Sequence, residues 1–263
     1  MRPEPAAGAV LKRALDVVVA TAALVVLAPV MLLVAIAVRA ETPGPVLFAQ
    51  HRLGRYGRPF RLLKFRKFPH FPATRDPAAQ GPAVTVHNDA RLTGVGRLLQ
   101  RSKLDELPQF WNVLTGTMSL VGPRPESPRF AGCYGDAYTG LLEHRPGLFG
   151  PAQVLFRNES ALFPPDRDPE DFYRAVLFPA KARLDLAYYR TASVAGDIGW
   201  LLRGALAVLL PASRGMRCEE VLAAVEQRIR RQGSSAGPAS AAPASAAPAS
   251  AAPVPAVGQR PLA

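Results

Sequence analysis

Residues 17–38 read VVVATAALVVLAPVMLLVAIAV, 22 positions without a charge. An uncharged apolar run of roughly 18 residues or more is long enough to cross the hydrocarbon core of a bilayer as a helix. Whatever else this chain builds must therefore fold beside a membrane-embedded segment. A cleaved signal peptide has a shorter apolar core and ends in small residues, whereas this run leads straight into basic sequence. Pro29 sits near its middle; it lacks an N–H and clashes with the carbonyl four residues earlier, so a kink or break is expected there. Lys12 and Arg13 precede the run and Arg39 follows it, so positive charge selects no orientation. A hairpin that enters and leaves by one face and a kinked spanning helix both satisfy these facts. Asp16, at the start of the run, reads as a helix cap or a partner for Arg13, with no catalytic role.

The 263 residues carry a formal net charge of +12. A basic excess favours polyanions: nucleic acid, anionic lipid or phosphorylated substrates. The charge gathers just after the apolar run, in Arg39, Arg52, Arg55, Arg58, Arg61, Lys64, Arg66 and Lys67. Clusters placed so bind anionic headgroups on the cytoplasmic leaflet. A nucleic-acid reader needs base-stacking aromatics or a known reading motif on its basic face, and none is present. Cys133 and Cys218 are isolated, which excludes a disulfide framework or zinc site and fits reduced thiols in cytoplasm. His51, His70, His87 and His144 show no metal-ligand spacing. From Gly233 the chain becomes a PASAA repeat without bulky residues; it cannot bury enough apolar surface to offset its ordering entropy and is expected to be disordered. The organisation expected is a membrane hairpin over 1–40, a cytoplasmic or interfacial domain over 41–232 and a disordered tail over 233–263.

Within that domain, residues 46–66 hold two aromatic and aliphatic runs around a Gly-containing turn, a strand pair. Residues 67–88, with prolines and small polar residues, read as a loop. Leu98, Leu99, Leu104, Leu107, Phe110, Trp111 and Leu114 recur at helical spacing and predict a helix over 92–115, with Ser102 loosely matching a capping box, Pro108 in a first turn, and Gly116 as its end. Asp105 and Glu106 then lie at or near a helix N-terminus, where free N–H groups and the positive dipole end favour phosphate. Two adjacent carboxylates there suit one attacking group and one ligand for a divalent cation, since Mg²⁺ takes oxygen ligands and bridges carboxylates to substrate phosphates. The plainer reading is that first-turn acids merely complement the dipole. Arg124, fixed between Pro123 and Pro125, presents a pre-aimed fork suited to phosphate, or else a solvated arginine on a rigid turn. Arg157, Asn158 and Glu159 read as a structural polar cluster. Residues 169–190 predict a helix with Pro169 and acids at its start. Ile198–Leu210, with Trp200 and Arg203, fits an interfacial helix or a buried one, and Arg217–Gln232 a polar last helix. The fold class expected is α+β, predominantly helical, with a re-entrant helix-break-helix at the N-terminus, a small strand pair and amphipathic interfacial helices.

Four segments, KRALDVVVATAALVVLAPVMLLVAIAV, TPGPVLFAQHRLGRYGRPFRLLKFR, NDARLTGVGRLLQRSKLDELPQFWNVLTGTMSLVGPRPE and RPGLFGPAQV, follow one another. Together they resemble the bacterial sugar transferases, the monotopic phosphoglycosyl transferases, from about Lys12 to Leu210. The LDELPQFWNVL…MSLVGPRP block is the specific part. The resemblance implies a re-entrant helix in the bacterial inner membrane, with the catalytic domain facing the cytoplasm. It implies transfer of a sugar 1-phosphate from a UDP-sugar to undecaprenyl phosphate: Asp105 attacks the β-phosphate, UMP leaves, and the lipid phosphate displaces the sugar phosphate from Asp105. Such chemistry begins exopolysaccharide, capsule, O-antigen or glycoprotein glycan assembly. Glu106 would hold Mg²⁺, and Lys64, Arg66, Arg101, Arg124 and Arg145 would bind substrate.

This chain departs from the family's pattern in places. Ala28 stands where serine usually precedes the proline, Gln100 stands where many members carry arginine, with Arg101 beside it, and Lys67 and Phe68 replace the common threonine or serine and methionine. The RPG motif continues Leu-Phe-Gly-Pro, which implies that Arg145 and Phe149 shape the sugar end differently. A non-catalytic membrane adaptor that binds anionic lipid or acidic partners would explain the charge and the anchor, but not the Asp-Glu pair followed by GPRP.

Overall fold

The computed structural model describes residues 6–69, 89–209, 220 and 222–227. The expected tail, most of the 67–88 loop and the ends of the last helix lie outside them; residues 222–227 are helical. Helix α1, Ala6–Glu41, is one long helix with Pro29 inside it. A β-hairpin follows, β1 Leu47–Leu53 and β2 Pro59–Phe65, paired antiparallel with His51 opposite Arg61. Then come α2 Gly94–Ser102, a 3-10 turn Leu104–Glu106, and α3 Gln109–Thr115. A second, parallel pair joins β3 Ser119–Val121 to β4 Gly147–Phe149, with α4 Gly135–Tyr138 between them. Helices α5 Pro151–Leu155, α6 Pro169–Phe172, α7 Phe178–Tyr189 and α8 Val194–Leu209 complete the domain. A π-turn at Tyr173–Leu177 joins α6 to α7. The fold is thus mostly helical, with the expected hairpin and a parallel pair the sequence did not show.

One correction concerns the predicted helix over 92–115. It is two helices, because Lys103 adopts a left-handed conformation at φ 63° and turns the chain before the acidic pair. Ser102 does not act as the expected capping box: its hydroxyl donates back to the carbonyls of Leu98 and Leu99. Thr93 caps α2 instead, accepting from the Gly96 N–H at 2.9 Å. Gly116 does end α3, at φ 85°.

The main core lies under α3, β3 and the α6–α7 helix. Leu120, Phe130, Leu177, Leu184 and Val113 are fully buried there, and the Phe130 and Tyr173 rings pack with centroids 4.5 Å apart. A smaller cluster joins Val34 and Val38 of α1 to Phe65 and Leu99. Both ends of α1 are fastened to the domain. Arg13 donates to the Val113 and Leu114 carbonyls at 2.7 and 2.8 Å, satisfying carbonyls that the end of α3 leaves free. Asp16 accepts from the Leu120 N–H at 2.9 Å and the Ser119 hydroxyl at 3.1 Å; it is a docking residue, neither cap nor partner of Arg13. Lys12 donates to the Val121 carbonyl and pairs with Asp197, which accepts from the Tyr188 hydroxyl. At the far end Glu41 accepts from the Val95 N–H at the start of α2.

Between these anchors α1 is bare. Val18, Val25, Val26, Leu32, Leu33 and Ile36 are exposed. Only 11% of its most apolar stretch is buried, and among the described residues it is the helix long and apolar enough to cross a membrane. A core helix of a water-soluble domain would be mostly covered. Helix α8 settles between the two expectations for it: Trp200 and Gly204 are buried while Ile198, Leu202 and Leu206 are exposed.

Candidate active site

The chemistry-bearing residues meet at one cavity of about 440 Å³. One side is charged: Arg52, Lys64, Lys67, Lys103, Arg124 and Arg157 line it together with Asp105, Glu106, Glu126 and Glu159. The other is apolar and includes Leu27 of α1, Phe149, Phe163, and Ala205, Ala207 and Val208 of α8.

Asp105 lies in the 3-10 turn and is 1% exposed. Lys67 brings its ammonium to 3.1 Å of Asp105 Oδ2, but not in hydrogen-bond alignment, so both carboxylate oxygens are buried without a hydrogen-bond donor. A buried acceptor left so is costly in a finished core, and its place on a cavity wall makes it a group prepared for a ligand or a reaction. Glu106 differs. Lys64, reaching from β2, donates to its Oε1 at 2.8 Å. Burial opposes ionisation of Glu106, but Lys64, Lys103 and Arg124 outweigh it and hold its carboxyl far below the usual carboxylate range. Burial also pulls the Lys64 and Lys103 ammonium groups below their ordinary values, with the two acids opposing it.

Arg124 is held by its backbone from three sides. Gly122 N donates to Phe149 O at 3.0 Å, Gly147 N donates to Pro123 O at 2.9 Å, and the Arg124 N–H donates to Asp185. The two glycines let these backbones touch: a Cβ on Gly147 would stand 2.0 Å from Gly122 N. Burial works against the Arg124 charge, but Glu159, Glu106 and Glu126 prevail and strengthen it. Glu159 in turn accepts from Lys181 at 2.7 Å, and its carboxyl stays below its ordinary value because Lys181 and Arg124 overcome its burial. Tyr173 donates to Glu126 at 2.6 Å, and Lys181 donates to the Tyr173 oxygen at 3.1 Å. The charged wall is thus buttressed from behind.

The structure unites Asp105, Glu106, Lys64 and Arg124 as the sequence suggests. It does not bring Arg66, Arg101 or Arg145 to the cavity lining. Arg66 is buried and donates to the Thr42 and Pro43 carbonyls at 2.9 and 3.0 Å, clamping the end of α1. Arg101 and Arg145 are exposed; the RPG motif serves through Gly147, which seats the Arg124 loop. Gln100, beside Arg101, lines the cavity instead, with its Oε1 buried and without a donor. Arg157 and Glu159, read as a structural cluster, also reach the wall. Lys67, Lys103 and Arg52 were legible only as basic residues; no spacing rule places them beside Asp105. Among the described residues no group of three or more His, Cys, Asp or Glu is arranged to hold a metal. The donor-free oxygens of Asp105 and the one Glu106 oxygen not held by Lys64 fit a cation only when a substrate phosphate completes its shell, as Mg²⁺ commonly requires.

A profile of the bacterial sugar transferase family matches residues 7–211. Similar relatives include the UDP-N-acetylgalactosamine-undecaprenyl-phosphate N-acetylgalactosaminephosphotransferase of Aeromonas hydrophila, 39% identical over 150 residues, 56% of this chain and 34% of the relative. The UDP-glucose:undecaprenyl-phosphate glucose-1-phosphate transferase of Caulobacter vibrioides is 45% identical over 148 residues, 54% of this chain and 53% of the relative. The chain therefore spans about a third to a half of the length of these two relatives. The exopolysaccharide production protein PSS of Rhizobium leguminosarum bv. phaseoli is 39% identical over 201 residues, 72% of this chain and 90% of the relative.

Proposed function

Because this chain belongs to the bacterial sugar transferase family, we propose that it transfers a sugar 1-phosphate from a UDP-sugar to undecaprenyl phosphate through a covalent intermediate on Asp105. The observation that carries the reading is Asp105 itself: a buried carboxylate with no hydrogen bond to either oxygen, at the wall of a cavity crowded with cations. Phosphoryl transfer asks a protein mainly for positioning and for positive charge around the phosphoryl oxygens. In the first step an Asp105 oxygen bonds to the donor's β-phosphorus, the bond from that phosphorus to the α–β bridging oxygen breaks, and UMP leaves with the electron pair. In the second, an oxygen of the lipid phosphate attacks the same phosphorus and the Asp105 carboxylate is regenerated. Splitting the transfer lets one cavity serve a soluble donor and then a lipid acceptor.

Arg124, Lys64 and Lys103 face the donor's phosphates in this reading. Mg²⁺ would be held by Glu106, with Asp105 adjacent, and would supply further positive charge to those phosphates. The acceptor's chain would arrive along the apolar wall between Leu27 and α8. Its source is the bilayer in which α1 sits. Straight, α1 would separate Arg13 from Val34 by about 31 Å. Yet Arg13 sits at Leu114, at the end of α3, while Val34 shares a cluster with Leu107, just before the start of that short helix. This geometry, with Pro29 between the two contacts, supports a bent, re-entrant α1 that returns to the cytoplasmic face of the inner membrane. A non-catalytic adaptor would turn its basic residues to lipid; here Lys64 and Lys67 turn inward to the acidic pair.

The test is UMP release by the protein in nanodiscs, with undecaprenyl phosphate, Mg²⁺ and a panel of UDP-sugars. Release with at least one sugar is expected. No release with any of them, from protein that retains its fold, contradicts the reading. The same panel names the sugar, which the relatives leave open because glucose and N-acetylgalactosamine both occur in their names.

A further inference from the structure

The end of β2 delivers two lysines to two adjacent acids. Lys64 takes Glu106, and Lys67, three residues on, takes Asp105. The two pairs differ in kind. Lys64 donates a hydrogen bond, whereas Lys67 stands 3.1 Å from Asp105 Oδ2 without one. Lys67 therefore supplies charge at the reacting carboxylate while leaving its lone pairs untied. Its side chain is 16% exposed, so little solvent intervenes to weaken the attraction.

The backbone beneath Lys67 is fixed for this purpose. Its carbonyl accepts from the Thr93 N–H at 3.1 Å, and the start of α2 lies directly on it. That approach depends on Gly96, where a Cβ would stand 2.1 Å from the Lys67 oxygen. Lys64 pairs with Glu106 and Arg124 faces Glu159, and Lys64 and Lys103 act on Asp105 through their charge. Among the described residues the ion pair to Asp105 itself is made by Lys67.

We propose that Lys67 is a catalytic residue, the cation that lets a buried Asp105 approach a negatively charged diphosphate. The inference rests on the sugar-phosphate transfer proposed above. As the bond from Asp105 to phosphorus forms and the bond to UMP breaks, negative charge concentrates on the phosphoryl oxygens beside Oδ2. Neither step transfers a proton. The same charge faces the carboxylate again when the lipid phosphate displaces it. A cation aimed at charge that develops during reaction acts far more strongly in such a site than in water.

Gln100 offers a way to separate charge from shape. It lines the same cavity from α2 and is neutral, so Gln100→Arg introduces a cation from another element. The experiment is a rapid-quench measurement of the first UMP burst, using full-length protein in nanodiscs and a UDP-sugar that the wild type turns over. Lys67→Thr is expected to slow the burst about 100-fold, with an unfolding midpoint close to that of the wild type. The double variant Lys67→Thr/Gln100→Arg is expected to regain about tenfold of that loss. A burst in Lys67→Thr within about threefold of wild type, or a loss that Gln100→Arg does not recover at all, overturns the proposal. A wild type that turns over none of the UDP-sugars overturns the underlying reaction instead, and the two failures are distinct.

Discussion

Asp105 and Glu106 are neighbours with opposite surroundings, and the roles proposed for them rest on that contrast. Glu106 is held ionised by Lys64, Lys103 and Arg124 and offers its charge to whatever lies in the cavity. Asp105 has no donor to quiet it. We expect Glu106→Gln to cut turnover by about 100-fold, the scale of losing one electrostatic contact in a site of this kind, with little change in the unfolding midpoint. A loss of activity that tracked a loss of fold would show Glu106 to be architectural. A second residue-scale prediction concerns Asp185, whose carboxyl is pushed up to about 7 by burial despite the N–H groups of Ala152 and Arg124. The folded chain keeps a proton there that the unfolded chain releases near its ordinary value of about 4. Between those values the native state binds more protons, so this group's contribution to stability falls as pH rises and the whole cost is present above about 7. Asp185→Asn should therefore raise the thermal midpoint relative to wild type at about pH 8, and the difference should shrink towards about pH 4. An offset that is the same at both values contradicts it.

At the scale of elements, the motifs that carry Arg124 and Arg145 also form a joint. Gly122 of GPRP and Gly147 of RPG are pressed backbone to backbone between β3 and β4. Neither side can retreat, so Gly147→Ala is expected to cost about 1–3 kcal/mol, the range for overpacking, and to displace Arg124. A thermal midpoint and KM for the UDP-sugar both unchanged would refute this. The hairpin and the α6–α7 helix were legible because each rests on local signals: strand propensity around a turn, and the Asp168–Pro169 start, where Asp168 accepts from the Glu170 and Asp171 N–H groups. The break at Lys103 was not, since a lysine carries no preference for left-handed backbone and the apolar spacing runs on across it. The parallel pair was hidden for another reason: β3 and β4 are three residues each and far apart in sequence. For Arg66 and Arg145 the resemblance implies substrate binding, while the structure places neither on the cavity lining; a basic residue beside a motif looks the same whether it faces a ligand, a carbonyl or water.

At the scale of the whole molecule, the described residues hold one bare apolar helix and a charged cavity whose apolar wall includes that helix's Leu27. The apolar run was plain in the sequence, but its docking was not: Lys12, Arg13 and Asp16 look like flanking charges until β3 and α3 are placed beside them. Leu32 is exposed on the apolar stretch of α1. Leu32→Asp should lower the membrane-bound fraction on flotation, given a cost of roughly 2.5–3.5 kcal/mol for a charge at the centre of a membrane helix. Full recovery with the membrane would contradict embedding of this helix.

The measurement closest to the central claim is intact-protein mass spectrometry after mixing with a competent UDP-sugar in the absence of lipid acceptor, followed by peptide mapping. The expected result is a mass increase of one sugar phosphate, located on Asp105, absent in Asp105→Asn and discharged when undecaprenyl phosphate is added. UMP release with no adduct at any time, or an adduct on another residue, would contradict Asp105 as the nucleophile.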